Sequence, residues 1–217
     1  MLVDGFLDEA EKCSCPDESR CAIRSVMREV RENYDPHFDF VMIPRVPLDT
    51  LDFTSATMNL GSKMILDATR KQRPPRGAAP RRTRLRPGIP PLGTLDRRIV
   101  DQNLLDDTML IVKVRRDGMT VLRKLLNHTS LAGLSIVVTV SDDVDIRDRE
   151  NALWGIFTRF DCERDVLFAE QKLVGIAPVY GGVMGIDATW KPGYPAPLEM
   201  REDVKKKVEE RWDRYWR

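Results

Sequence analysis

Hydrophobic residues in the second half of the chain alternate between strand-like runs and helical patterns. The runs 108–114 and 134–140 are short and almost continuously apolar, which is typical of buried strands. Apolar residues in 119–126 and 149–160 recur at a spacing of three or four, which predicts a helix after each strand. Strands that alternate with helices in this way favour right-handed βαβ crossovers. The pattern therefore predicts an α/β fold with a mostly parallel sheet and flanking helices.

One motif occurs twice, on either side of a segment rich in proline and arginine. It reads G-x-x-M-x-[IL]-D-A-T-x-K and covers residues 61–71 and 181–191. Upstream of each copy, a helical pattern ends in D-x-x-x-D and a strand-like run follows. The shared order predicts one structural unit used twice, the first copy being the smaller, rather than a solenoid, which needs at least three copies. The upstream positions are Asp35, Asp39 and 40–43 in the first copy, and Asp161, Asp165 and 166–168 in the second.

We expect the residues of this motif to be structural. The motif lacks the glycine spacings that place several backbone amides on a phosphate group. Its glycines are expected to allow a tight turn and its methionines to pack inward. Its aspartates would cap or brace that turn against the threonine and lysine that follow. The residues are Gly61, Met64, Asp67, Thr69 and Lys71 in the first copy, and Gly181, Met184, Asp187, Thr189 and Lys191 in the second.

Proline and arginine mark a boundary near the middle of the chain. Residues 73–91 contain six prolines and six arginines. The prolines exclude a long helix or a central strand, and repulsion among the arginines favours an extended linker or arm. The expected organisation is an N-terminal unit at 1–71, the linker or arm at 72–94, an α/β domain at 95–198 and a C-terminal docking helix at 199–217.

The C-terminal segment is highly charged and carries one apolar stripe at helical spacing. The stripe consists of Met200, Val204, Val208, Trp212 and Tyr215 or Trp216. Such a helix is expected to dock on its own domain or on another subunit, since aromatic anchors are favoured at interfaces. The spacing leaves both alternatives open.

The composition is that of a soluble globular protein, with 42% hydrophobic residues, 32% charged residues and a net charge of +1. We expect neither a membrane span nor a secretory signal, because no run of 18 apolar residues and no basic leader occurs. Four cysteines are too few for a disulfide scaffold, which favours the cytoplasm. The arginine-rich segment could contact phosphate backbones, but no aromatic residues lie among its arginines. Nucleic acid is therefore disfavoured as a partner.

An acidic cluster, three cysteines and two histidines are the residues that could carry chemistry. The acidic cluster follows a predicted strand and could hold Mg²⁺, but helix capping also accounts for it and is preferred. The cysteines lack the paired spacing of zinc sites, so free thiols are favoured. The histidines have no neighbouring nucleophile pattern. These residues are Asp142, Asp143, Asp145 and Asp148; Cys13, Cys15 and Cys21; and His37 and His128.

Residues 138–148 and 152–166 resemble the C-terminal domain of UbiD-family enzymes, which are prenylated-flavin-dependent decarboxylases of aromatic and α,β-unsaturated acids. The segments 47–53 and 61–69 resemble the tail of the same domain, so the tail unit is present twice. The resemblance covers about residues 22–71 and 95–217. In the family, the flavin, its metal ions and the catalytic Arg and Glu residues belong to other regions, which no segment of this chain resembles. The resemblance therefore implies no catalytic, cofactor-binding or metal-binding residue here.

The resemblance implies an accessory or split subunit of a UbiD-like aromatic acid carboxylase or decarboxylase. Prenylated FMN with metal ions is then expected in a larger UbiD-like catalytic subunit, in a hetero-oligomer or homo-oligomer. In the family, the matching domain closes over the active site and builds oligomers. Two alternatives remain: a small stand-alone Mg-dependent enzyme that uses the acidic cluster, and a polyanion-binding module that uses the arginine-rich arm.

Overall fold

A computed structural model describes residues 18–52, 54–55, 57–71, 88–194 and 200–216. The helices in these ranges are α1 (Glu18–Asn33), α2 (Pro36–Asp39), α3 (Gly118–Leu126), α4 (Arg149–Phe157), α5 (Cys162–Asp165), α6 (Glu202–Glu209) and α7 (Trp212–Tyr215). The strands are β1 (Phe40–Pro47), β2 (Leu60–Leu66), β3 (Ile99–Leu105), β4 (Met109–Val114), β5 (Ile136–Ser141), β6 (Val166–Val174) and β7 (Ala177–Ala188). Short 3-10 helices occupy Leu92–Thr94 and Thr129–Leu131. None of the helices in the described ranges has the length and apolar character needed to cross a membrane.

Five strands form the main sheet, in the order β3-β4-β5-β7-β6. The central strands β4, β5 and β7 run parallel, and the edge strands β3 and β6 pair antiparallel with their neighbours. This architecture confirms the predicted α/β class, with the parallel pairing at the centre of the sheet. The edges are antiparallel because tight turns join each edge strand to its neighbour. Asp106, Asp107 and Gly175 have positive φ angles of 49°, 52° and 63° in these turns.

Apolar side chains pack against both faces of this sheet. One face contributes to a shared core that also contains Met27 of α1, Phe40 of β1 and Ile156 of α4. The other face packs under α3, which contributes Val121, Leu122, Leu125 and Leu126 to a second core. Because β5 is covered on both faces, consecutive residues such as Val137 and Val138 are fully buried. This burial explains why β5 reads as a continuous apolar run.

Strands β1 and β2 form a separate antiparallel hairpin that matches the β6–β7 hairpin. Phe40 pairs with Leu66 in the first hairpin, and Val166 pairs with Ile186 at the corresponding position of the second. The inner faces of the two hairpins meet in the shared core, where the ring centroids of Phe40 and Phe168 are 4.8 Å apart. A helix and a short helical turn precede each hairpin. The repeated sequence unit thus corresponds to a helix, a turn and a hairpin.

Three details differ from the sequence expectations or lie outside the described residues. Helix α4 ends at Phe157 rather than Phe160, although Phe160 is buried beyond the helix end. The C-terminal segment contains two short helices, α6 and α7, instead of one. Residues 72–87, Cys13 and Cys15 lie outside the described residues, as does the side chain of Cys21.

Candidate functional site

Polar residues converge where the parallel strands β5 and β7 end. Ligands of open α/β sheets bind at this carboxyl edge, so a functional site is expected there. Asp187 is the penultimate residue of β7 and is only 3% exposed. Its Oδ1 accepts hydrogen bonds from Thr189 N at 3.1 Å, Thr189 Oγ1 at 2.6 Å and Thr139 Oγ1 at 3.2 Å. The carboxylate therefore ties the turn after β7 to the neighbouring strand β5.

Lys191 braces the same turn through its backbone carbonyl groups. Its Nζ donates to Asp187 O at 2.7 Å and Thr189 O at 3.0 Å. It also lies 3.5 Å from Asp165 Oδ2 and 3.7 Å from Asp187 Oδ2. Burial lowers the pKa of Lys191, because the loss of solvent outweighs the attraction of Asp187 and Asp165. The ammonium group has its donors committed to the protein.

The first copy of the motif has the same geometry. Asp67 Oδ1 accepts from Thr69 N at 3.0 Å and Thr69 Oγ1 at 2.6 Å, and these hydrogen bonds lower the pKa of Asp67. Lys71 Nζ donates to Asp67 O at 2.7 Å and pairs with Asp39 Oδ1 at 3.0 Å. The difference is exposure: the Asp67 side chain is 45% exposed, whereas that of Asp187 is 4% exposed.

The D-x-x-x-D segments complete both copies. In the second copy, Asp161 N donates to Asp165 Oδ2 at 2.8 Å, and Asp161 Oδ1 accepts from Glu163 N at 3.1 Å. Asp35 and Asp39 are related in the same way in the first copy, where Asp35 N donates to Asp39 Oδ2 at 2.8 Å. The second aspartate of each segment meets the motif lysine. We call the pairs Asp39–Lys71 and Asp165–Lys191 the two clasps.

The sequence predicts that the glycines of the motif allow a tight turn, but both lie within strands, in β2 and β7. A Cβ atom on Gly61 would lie 2.5 Å from Leu48 Cδ1 and 3.2 Å from Asp161 Oδ2. A Cβ atom on Gly181 would lie 3.2 Å from Glu170 Oε2. Close packing, rather than a turn, therefore accounts for glycine at position 61, whereas the nearest atom to Gly181 is the flexible end of the Glu170 side chain.

The methionines of the motif line the shared core. Met184 is fully buried, and its Sδ lies 3.8 Å from the hydroxyl group of Tyr34. Met64 is half-buried against the same core. The two side chains lie on the inner faces of β7 and β2, where the hairpins meet.

Several residues that join the two units have no signal in the sequence. Ser62 Oγ donates to Asp161 Oδ1 at 2.6 Å and accepts from Glu163 N at 2.9 Å. Tyr194 OH donates to Thr54 O at 3.1 Å and accepts from Arg164 Nη2 at 2.7 Å. Burial raises the pKa of Tyr194 to about 12, so the phenol stays protonated as a donor. The bonds from Ser62 and to Thr54 O link distant parts of the chain, which no local pattern reveals.

A surface cleft of about 510 Å³ opens beside these contacts. Its lining residues are Asp49, Leu51, Asp52, Thr54, Trp154 and Thr158. Leu51 is 82% exposed and Trp154 is 75% exposed. A cleft with an exposed indole and an exposed leucine is suited to contact with another macromolecule.

A family model matches most of this chain. The model of the 3-octaprenyl-4-hydroxybenzoate carboxy-lyase C-terminal domain, UbiD_C, matches residues 21–68 and 84–188. The match takes in more than half of the chain and most of both repeated units. The chain belongs to the UbiD family. The resemblance seen in the sequence is thereby confirmed.

Known relatives of this UbiD-family chain are longer. A 4-hydroxybenzoate decarboxylase subunit of Chlamydia pneumoniae is 26% identical over 196 residues, which cover 88% of this chain and 31% of the relative. The chain thus spans about a third of the length of that protein. Among solved structures, the closed form of the vanillic acid decarboxylase of Sedimentibacter hydroxybenzoicus matches with a TM-score of 0.44 and 21% identity, over 58% of this chain and 30% of that one. The UbiD-class enzyme HmfF of Pelotomaculum thermopropionicum, an evolved dimeric form in complex with prFMN, matches with a TM-score of 0.42 and 18% identity, over 55% and 27%.

The acidic cluster after β5 does not fit the metal-assisted flavin chemistry that the UbiD family implies. Both oxygens of Asp143 are held by Arg159, at 2.8 Å and 2.7 Å, and this contact lowers the pKa of Asp143. Asp145 accepts from Arg147 N at 2.9 Å, and Asp148 caps α4 by accepting from Asn151 N at 2.7 Å. Within the described residues, no three His, Cys, Asp or Glu side chains are grouped to hold a metal ion.

The histidines and the buried cysteine have local roles in this UbiD-family chain. His128 Nδ1 lies 2.6 Å from Ser130 Oγ at the 3-10 helix that follows α3. The ring of His37 packs against Phe38. Cys162 is buried at the start of α5, and this burial raises the pKa of its thiol to about 11. A thiol of that pKa is a poor nucleophile at neutral pH.

Proposed function

We propose that the chain is an accessory subunit of a UbiD-like aromatic acid carboxylase or decarboxylase, acting in assembly and in closure of the active site. The observation that carries this proposal is the family match, which falls on the C-terminal domain of the carboxy-lyases. The name of the Chlamydia pneumoniae relative, a subunit of a 4-hydroxybenzoate decarboxylase, supports it. In this proposal the chain assembles with a larger UbiD-like catalytic subunit that carries prenylated FMN and its metal ions.

The polar groups at the carboxyl edge support a scaffold role. Asp187 and Lys191 brace the turn that they share, Asp187 also accepts from Thr139 of β5, and Asp143 is engaged by Arg159. Groups that are satisfied inside the protein hold a backbone in place, and they are not poised to take a proton from a substrate. The eight motif residues are therefore proposed to be structural, and the stand-alone Mg-dependent enzyme has no supporting observation within the described ranges. The polyanion-binding alternative rests on residues outside those ranges.

The cleft beside Trp154 is the proposed contact with the catalytic subunit. Trp154 and Leu51 project from this cleft, and the buried core of a protein interface is enriched in aromatic side chains and depleted of charge. Asp49 and Asp52, which also line the cleft, would supply polar contacts beside these apolar side chains.

Co-purification tests the proposal. The tagged chain, produced in its native host, is expected to bring down a larger UbiD-like polypeptide together with bound flavin. Trp154→Glu is expected to lower the recovery of that polypeptide by about tenfold, the effect of losing one interface anchor. The matched control is Leu173→Glu, because Leu173 is 72% exposed on a distant hairpin and Trp154 is 75% exposed. The control is expected to recover as much partner as the unaltered chain.

Two results would contradict this assignment. The first is recovery of the chain in a stable complex that contains no larger UbiD-like polypeptide. The second is release of carbon dioxide from an aromatic acid by the isolated chain, which would mean that the reactive centre lies on this polypeptide.

A further inference from the structure

The cleft beside Trp154 has two walls that belong to different units of the chain. One wall is the loop that joins β1 to β2, which contributes Leu51 and Thr54. The other wall is the end of α4, which contributes Trp154 and Thr158. The shape of the cleft therefore depends on how this loop is fixed to the second unit.

One hydrogen bond fixes the loop to the second unit. Tyr194 OH donates to Thr54 O at 3.1 Å. The side chains of the loop bond within the first unit, where Asp49 Oδ1 accepts from Leu51 N at 2.8 Å and Asp52 Oδ1 accepts from Thr54 N at 3.1 Å. Among the described residues, no other hydrogen bond joins this loop to the second unit. The local bonds shape the loop, and the bond from Tyr194 places it relative to α4.

The Tyr194 side chain is itself held by the second clasp. Tyr194 is 6% exposed, and its hydroxyl oxygen accepts from Arg164 Nη2 at 2.7 Å. The guanidinium carbon of Arg164 lies 5.4 Å from the centroid of the Tyr194 ring, and Arg164 also pairs with Asp165 Oδ2 at 2.8 Å. Because the hydroxyl oxygen accepts from Arg164, its proton is left for the bond to Thr54 O.

The first copy of the repeated unit lacks the pair of Arg164 and Tyr194. Phe38 is the third residue of α2, as Arg164 is of α5, and Phe38 is 56% exposed. The third residue after the motif lysine is Pro74 in the first copy and Tyr194 in the second. Both copies nevertheless form the braced turn of the motif. The turn does not need this pair, so a second role accounts for it.

We propose that Tyr194 is a positioning residue of the cleft, which holds the loop that carries Leu51 at a set distance from the helix end that carries Trp154. This inference rests on the proposed function, in which the cleft contacts the catalytic subunit. The hydroxyl group acts through Thr54 and does not touch the partner. Leu51 and Trp154 are then presented together as one apolar contact, because anchors bind well only where supporting residues fix their geometry.

Hydrogen–deuterium exchange of the isolated full chain tests the positioning. Tyr194→Phe removes the hydroxyl group and keeps the ring, so circular dichroism should show an unchanged fold. Amides in residues 48–59 are expected to exchange about fivefold faster, the effect of losing one hydrogen bond, while those of β1 stay unchanged. Tyr180→Phe is the matched control, because it removes the same atom from a ring packed against the shared core. Loop exchange that is equal in Tyr194→Phe and the unaltered chain would overturn the proposal.

Affinity for the catalytic subunit separates positioning from general stabilisation. With the partner recovered by co-purification, Tyr194→Phe is expected to raise the Kd about fivefold. In a Trp154→Ala background the same change is expected to have a much smaller effect, since the cleft has already lost its anchor. An unchanged Kd for Tyr194→Phe, or equal effects in both backgrounds, would overturn the proposal. Failure of the unaltered chain to bind any UbiD-like subunit would instead contradict the proposed function, and loop exchange would still decide whether Tyr194 positions the cleft.

Discussion

At the scale of single residues, the two copies of the motif differ in the solvent exposure of one carboxylate, that of Asp67 or Asp187. Asp165 and Asp187 in the second clasp region have side chains only 1% and 4% exposed, and Lys191 is 18% exposed. In the first copy, Asp39 is 3% exposed and Lys71 is 24% exposed, but Asp67 is 45% exposed. A buried carboxylate that loses its cation cannot recover solvation, whereas an exposed one can.

This difference predicts unequal effects of removing the two lysines. Lys191→Met is expected to lower the free energy of unfolding by about 3 kcal/mol, because both carboxylates that it contacts are buried and only Asp165 keeps another cation, Arg164. Lys71→Met is the matched control and is expected to lower it by less, because only one of the two carboxylates that Lys71 contacts, Asp39, is buried and Asp67 remains open to solvent. Urea denaturation of both variants at neutral pH measures the two values. Equal losses would mean that solvent exposure does not govern the clasps.

The sequence predicts part of this site well. Asp, Thr and Lys at fixed spacing predict a braced turn, and the structure has Asp67 with Thr69 and Lys71 bonded in that way. The strand position of Gly61 could not be foreseen, because the atoms that exclude a side chain there belong to Leu48 and to Asp161, which is far away in the sequence. Spacing along the chain reports local bonds, and it carries no information about such distant contacts.

At the scale of elements, α3 starts against the turn that follows β7. A Cβ atom on Gly118 would lie 2.5 Å from Asp187 Oδ1 and 2.7 Å from Thr189 Oγ1. The first turn of the helix can approach the braced turn this closely only because residue 118 has no side chain. The same approach brings Leu122 and Leu126 over Gly185.

We therefore expect Gly118→Ala to destabilise the protein by about 1–3 kcal/mol, the usual effect of overpacking. Thr189 and Asp187 cannot withdraw, because their side chains bond to each other and to β5. Gly93→Ala is the control, since its nearest contact would be Ile99 O at 3.9 Å. Thermal unfolding should give a clearly lower Tm for the first variant only. A Gly118→Ala protein as stable as the unaltered one would show that α3 shifts freely on β7.

The elements that the sequence missed are those without a simple hydrophobic period. Strand β3 contains Asp101, Gln102 and Asn103, so it reads as polar, yet it pairs along β4. Its polar side chains bond to other segments of the chain: Gln102 Oε1 accepts from Leu92 N at 2.7 Å, and Asn103 Nδ2 donates to Ile146 O at 2.7 Å. Buried strands such as β5 were predictable because burial on both faces leaves a continuous apolar run.

At the scale of the whole molecule, one core holds both repeated units together. The ring of Phe40 in the first unit lies 4.8 Å from Phe168 and 5.1 Å from Tyr180 in the second. Met27 and Val30 of α1 belong to the same core as the central strands. The described parts of the two units are therefore expected to unfold together.

Phe40→Ala tests this cooperativity. The change removes a buried aromatic side chain and is expected to lower the free energy of unfolding by about 3–5 kcal/mol. Circular dichroism and tryptophan fluorescence should still give coincident single transitions, as two-state unfolding requires. Phe157→Ala, at a site that is 48% exposed, is the control and is expected to have a much smaller effect. Two separate transitions in the unaltered chain would contradict a common core.

The unequal burial of Asp67 and Asp187 also bears on how the sequence can change over generations. A substitution at Asp67 leaves a position that water can solvate, whereas one at Asp187 strands Thr139, Thr189 and Lys191 in the interior. Because selection acts on folded protein, the turn at residues 187–191 should stay nearly invariant among descendants of this sequence, while the turn at residues 67–71 diverges. The sequence similarity between the two copies of the motif would then be lost mainly through changes in the N-terminal copy.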